Sequence, residues 1–129
     1  MVKGKAIFAG GVQFPKVVYK NMTFQPGQAN NFYIFPAIGM AVYATQAKRV
    51  TDEMFIEAAR AVADIVTPEQ LNKGLLYPPQ SNILETEIET AAKVAELVFD
   101  KGLARVKRPD DIKEFIREHI YSPEYQSFI

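Results

Sequence analysis

Two adjacent carboxamides, Asn30 and Asn31, are the side chains of this sequence best suited to chemistry. They follow Gln25-Pro26-Gly27-Gln28-Ala29 and lead into Phe32-Tyr33-Ile34-Phe35-Pro36, which opens the most apolar helix of the chain. Pro26 presets φ at the second position of a turn, and Gly27 can supply the positive φ that a type II turn needs at the third. Amides placed there lie beside helical N–H groups that lack partners within the helix, a setting that favours an anion such as a carboxylate. A helix start needs only one cap. Capping therefore explains one of the two carboxamides and accounts less well for two side by side.

The rest of the inventory is thin. The single histidine, His119, falls on the last expected helix with no second ligand type or nucleophile near it, and reads as a surface residue. Asp110-Asp111 stands where acidic charge favours a helix start, which accounts for the pair better than a metal does. Neither G-x-G-x-x-G nor G-x-x-x-x-G-K-[ST] occurs. Gly10-Gly11 after an apolar run would let a phosphate approach the backbone, but without the rest of a fingerprint it reads as a plain loop.

With 129 residues the chain is one domain, able to bury a real core. Fifteen basic and fifteen acidic residues cancel, so no net field recruits nucleic acid or an anionic membrane. Cysteine is absent, which excludes disulfides, thiolate metal sites and a cysteine nucleophile and agrees with a reducing, cytoplasmic setting. Met1-Val2-Lys3-Gly4-Lys5 does not begin a signal peptide. No apolar run approaches the ~18 residues of a membrane span.

These chemical residues need elements to hold them. Lys5–Ala9 reads as a strand buried on both faces and stopped by Gly10-Gly11. Val17-Val18-Tyr19 and Met22-Thr23-Phe24 around Lys20-Asn21 read as a hairpin. A helix is expected from Asn31 to about Ala47, apolar nearly all round and so buried, with Pro36 setting off its first turn. Thr51 is expected to cap the next helix. Thr67-Pro68-Glu69-Gln70 carries the capping-box pattern of a short one, which Gly74 ends. Leu75-Leu76-Tyr77-Pro78-Pro79 is a stiff connector. Asn82 with Glu85 starts the longest helix, buried through Leu84, Ile88, Ala91, Ala95, Val98 and Phe99, with Glu89 and Lys93 paired on its wet face. A last helix after Pro109 turns Ile112, Phe115, Ile116 and Ile120 inward, and the aromatic ending from Tyr121 to Ile129 is expected to lie against something. The class is α/β, mostly helical: a lone strand with no neighbour, one small hairpin and about five helices.

Five stretches in order resemble malic enzymes. Pro26-Gly27-Gln28-Ala29-Asn30-Asn31 with Phe32-Tyr33-Ile34-Phe35-Pro36 is similar to the family's PGQxNNxxxFP signature. Lys3–Ala9 is similar to the strand before it, and Arg49-Val50-Thr51-Asp52-Glu53-Met54-Phe55 to an I-[ST]-D-x-[MV] helix start. Leu75–Pro79 matches the LYPP connector and Ser122-Pro123-Glu124-Tyr125 the family ending. The resemblance covers the whole chain, 1–129, as the C-terminal part of a Rossmann-like NAD(P)-binding domain. It implies oxidative decarboxylation of malate to pyruvate with NAD or NADP and Mg²⁺ or Mn²⁺. The family's proton-handling tyrosine and lysine, its three acidic metal ligands and its glycine-rich turn lie upstream of the matched region. What carries over is Asn30 and Asn31 on the malate carboxylate, with Asn31 and Gly10 on the cofactor side. Gly10-Gly11-Val12-Gln13-Phe14 replaces the family's S-G-S-P-F, and Ala29 its usual Gly or Cys.

The implied role is a part of a malic enzyme, inactive alone, with no cofactor or metal expected on the fragment itself. The alternative is a non-catalytic helical oligomerisation or interaction module derived from that fold. The missing sheet neighbours of Lys5–Ala9 point to a homo-oligomer.

Overall fold

The computed structural model describes residues 6–121. Four short strands come first: β1 (Ala9–Gly10), β2 (Val17–Tyr19), β3 (Met22–Phe24) and β4 (Gly27–Gln28). A 3₁₀ turn, Asn31–Tyr33, then precedes α1 (Phe35–Thr45), α2 (Asp52–Ile65) and the short α3 (Pro68–Asn72). A second 3₁₀ turn, Gln80–Asn82, leads into α4 (Ile83–Asp100), and α5 (Ile112–Glu118) follows.

The long helix α4 is the centre, packed against α1, α2 and α5. Its inner face carries Ile88, Ala91, Val94, Ala95 and Val98, all buried. Ala37, Ala41 and Ala44 of α1 and Met54 and Ala58 of α2 belong to the same core. Small side chains at these positions let helix axes approach closely and pack at the density of an interior. Ile112 and Ile116 close the core from α5, with Phe115 and Ile120 half-buried beside it.

Local chemistry explains most element boundaries. Lys20 and Asn21 both take positive φ, 48° and 62°, the conformation a two-residue type I′ hairpin requires, and β2 pairs antiparallel with β3 across them. Pro36 sits in the first turn of α1, with the 3₁₀ turn set off before it, as a proline at that place demands. Thr67 and Gln70 form a complete capping box. Gly74 and Gly102 adopt positive φ just after α3 and α4. The Asp111 carboxylate caps α5 by accepting from Glu114 N at 2.9 Å.

Several expectations are corrected. The first strand has a neighbour: Ala9↔Gly27 and Gly10↔Gln28 pair in parallel. Only Ala9–Gly10 forms it, and Ile7 and Phe8 are more than half exposed, so it is not buried on both faces. Lys5 lies outside the described residues. Gly27 does not take positive φ; it is the start of β4, so the type II turn is replaced by sheet pairing. The apolar helix begins at Phe35, beyond the asparagines, and Phe35 and Tyr43 face outward. Thr51 and Asn82 stand at N-cap positions without a side-chain capping bond. Leu84 is exposed. Glu85 and Glu89 turn to α5: Lys113 Nζ reaches Glu85 at 2.8 Å and also Glu89, Arg117 reaches Glu85 at 2.6 Å, and Lys93 pairs with Glu96. Of the C-terminal ending only Tyr121 is described, and it is exposed; the rest lies outside the described residues.

Candidate functional site

The asparagine pair is built on the loop where β4 gives way to the 3₁₀ turn. Backbone bonds fix the approach: Gly27 N donates to Phe8 O and Ala29 N donates to Gly10 O at 2.8 Å. The two carboxamides then part. Asn30 takes extended backbone geometry as the N-cap, and its Oδ1 accepts from Phe32 N at 3.2 Å. Its Nδ2 donates to Gly11 O at 3.1 Å. Both ends of the Asn30 amide are thus engaged within the chain. Asn31 opens the 3₁₀ turn, is exposed, and its side chain makes no hydrogen bond among the described residues. Asn30 is thus the one that caps, and its amide is engaged at both ends.

Gly11 O also accepts from Gln28 Nε2 at 3.2 Å, and Gln28 Oε1 accepts from Gln80 Nε2. One carbonyl therefore gathers the loop after β1, the Gln28–Asn30 segment and, through Gln80, the start of α4. A carbonyl has two lone pairs, which this arrangement fills. Gly10 is buried at the root of this loop, and a Cβ there would lie 2.4 Å from the Phe14 ring, so a larger residue would have to displace that ring.

Tyr33, at the end of the 3₁₀ turn, is 1% exposed. Its hydroxyl donates to Pro78 O at 2.5 Å and its ring stacks on Tyr77 at 5.4 Å between centroids. Burial, then the neighbouring Tyr77, pushes the Tyr33 phenol above its ordinary value, so it stays a protonated donor. Asn30 lines a cleft of about 420 Å³ with Ala29, Ile34, Val62, Leu76 and Tyr77. Gln28, Gln80 and Tyr33 have no chemical signature in the sequence. The one available signal is that a tyrosine on a buried face must find a partner for its hydroxyl.

The arrangement can present one free carboxamide, Asn31, from a braced turn. Among the described residues no group of three or more His, Cys, Asp or Glu is placed to hold a metal ion. His119 is exposed at the C-cap of α5, its Nδ1 2.7 Å from Phe115 O, and is far in sequence from the asparagines.

Comparison with known proteins assigns this chain to a family. The family described as "Malic enzyme, NAD binding domain" matches residues 1–99. NADP-dependent malic enzymes of Phaseolus vulgaris and Vitis vinifera are each 46% identical over 127 residues, covering 98% of this chain and 22% of the relative. That of Dictyostelium discoideum is 42% identical over 122 residues, covering 95% of this chain and 22% of its own length. The chain therefore spans 22% of the length of these curated relatives, and it belongs to the malic enzyme family as part of the NAD-binding domain.

Proposed function

We propose that this chain forms one wall of the malate pocket in a malic enzyme that oxidatively decarboxylates malate to pyruvate with NAD or NADP. The observation that carries this reading is the division of labour in the asparagine pair: Asn30 is engaged at both ends, whereas Asn31 is exposed and uncommitted. A carboxamide N–H is a suitable donor to a substrate carboxylate, and a turn held in place spares the entropy of ordering it on binding. In this reading Asn31 orients malate, with its other side toward the nicotinamide ribose. Asn30 holds the turn and edges the pocket, and Gly10 stands on the cofactor side of the same loop.

NAD(P) supplies the hydride acceptor when bound. The described residues do not compose a metal-ligand set. In this reading the Mg²⁺ or Mn²⁺ of the reaction is held by other parts of the enzyme. What these residues do is bind and orient the carboxylate. They contain no placed acid–base pair, so the chain by itself is expected to be inactive.

The test is an assay of the purified chain with malate, NAD or NADP and Mn²⁺, beside the malic enzyme polypeptide that carries this segment. No reduced nicotinamide above a protein-free blank is expected from the chain alone. In the whole enzyme, Asn31→Ala should raise KM for malate. Metal-dependent turnover by the chain alone, or unchanged kinetics in the Asn31→Ala enzyme, would overturn the assignment.

A further inference from the structure

We propose that Tyr33 and Gln80 are positioning residues for malate binding, because they fix the rotation of the 3₁₀ turn from which Asn31 projects. The inference rests on the reading of Asn31 as the substrate-side amide.

A 3₁₀ helix advances about 120° per residue, so residues two apart point in different directions. Asn31 and Tyr33 occupy the two ends of such a turn, one exposed and the other 1% exposed. Three residues held by Tyr33 N→Asn30 O at 3.3 Å and Ile34 N→Asn31 O at 3.1 Å do not fix their own orientation. Isolated turns of this kind have poor hydrogen-bond geometry and rely on their surroundings. Here the surroundings are the Leu75–Pro79 connector and the turn after it. Tyr33 Oη donates to Pro78 O at 2.5 Å, across 45 residues of sequence. Its ring lies on Tyr77 with 21° between planes. From the other side, Gln80 Nε2 donates to Gln28 Oε1, and Gln28 holds the same Gly11 carbonyl that anchors Asn30. The asparagine turn is thus fastened to the connector at its buried end and, through Gln28, to the turn after the connector at its upstream end.

Removing either fastening leaves Asn31 in place chemically but loosens where its amide points. Misplacement of a binding group by about 1 Å can lower catalytic efficiency by as much as 100-fold. A role in folding alone would lower the active fraction, reducing the apparent maximal rate without altering KM.

The experiment measures malate KM and kcat for Tyr33→Phe, Gln80→Ala and Asn31→Ala in the malic enzyme polypeptide that carries this segment. Each is assayed well below its own melting temperature. Tyr33→Phe and Gln80→Ala are expected to raise malate KM by about tenfold, within the range a small misplacement produces. In an Asn31→Ala background neither should raise it further, since the amide they position is gone. Unchanged malate KM in both variants, with Asn31→Ala still impaired, would overturn the positioning role alone. Unchanged KM in Asn31→Ala would overturn the site reading itself. If Tyr33→Phe does not fold, the exposed Gln80→Ala decides the question.

Discussion

The Asn30 carboxamide donates to the Gly11 carbonyl at 3.1 Å while its oxygen accepts from Phe32 N, so one side chain ties the loop after β1 to the start of the 3₁₀ turn. Asn31, its neighbour, makes no such bond among the described residues. Replacing each with alanine should therefore separate stability from binding. Asn30→Ala loses a cap and a tether and should cost about 1–2 kcal/mol. Asn31→Ala, an exposed change, should stay within about 0.5 kcal/mol. Urea denaturation of the two variants checks this; equal losses would contradict the division.

Gly10 tests packing against ligand contact. A Cβ there meets the rim of the Phe14 ring, which is itself 44% exposed and can swing away. The displaced ring would leave its edge-on contact with Phe8, at 5.7 Å between centroids. Gly10→Ala should therefore cost about 1 kcal/mol or less. In the whole enzyme a rise in KM for the dinucleotide, with malate KM steady, would place Gly10 on the cofactor side. No change in either would leave packing as its whole role.

The ion pairs between α4 and α5 should make the docking of α5 sensitive to acid. Lys113, then Arg117, hold the Glu85 carboxyl below the usual carboxylate range. A depressed folded-state value means the contribution is present above the unfolded carboxylate value, ~4.3, and is lost as pH falls through the lower folded one. Glu85 and its partners are about a third exposed, so each pair contributes no more than ~1 kcal/mol. Glu85→Gln should flatten the acid limb of the unfolding profile followed by circular dichroism. An identical acid limb in wild type and variant would show that Glu85 carries none of it.

Self-association is the fourth expectation. β1 has β4 on one side, and among the described residues nothing pairs with its other edge. Ile7, Phe8, Val18 and Tyr19 are each more than half exposed nearby in the N-terminal region. Apolar area of that kind favours burial by ~25 cal/mol per Å², and an open strand edge is a template for pairing. The chain alone should form a dimer or larger species at micromolar concentration by light scattering, and Val18→Lys should weaken it. A wild-type chain that remains monomeric would refute this.

Much of the architecture was legible because it is local. Apolar spacing marked α2, α4 and α5, Lys20-Asn21 marked a hairpin, Thr67 to Gln70 marked a capping box, and Pro36 marked the break before α1. Each depends on residues within a few positions, where propensity and sterics act without the rest of the fold. The pair at Asn30 and Asn31 was legible for the same reason, as one amide more than a cap requires. Which asparagine remained free was decided by a carbonyl 19 residues away in sequence, and the orientation of the turn by one 45 residues away. The partner of the first strand, two residues of β4, carried no strand pattern of its own. Glu89 had a partner in reach at Lys93 on its own helix, yet pairs with Lys113 of α5. A long charged side chain meets whatever the packing of helices brings to it, and that proximity exists only once α5 lies against α4.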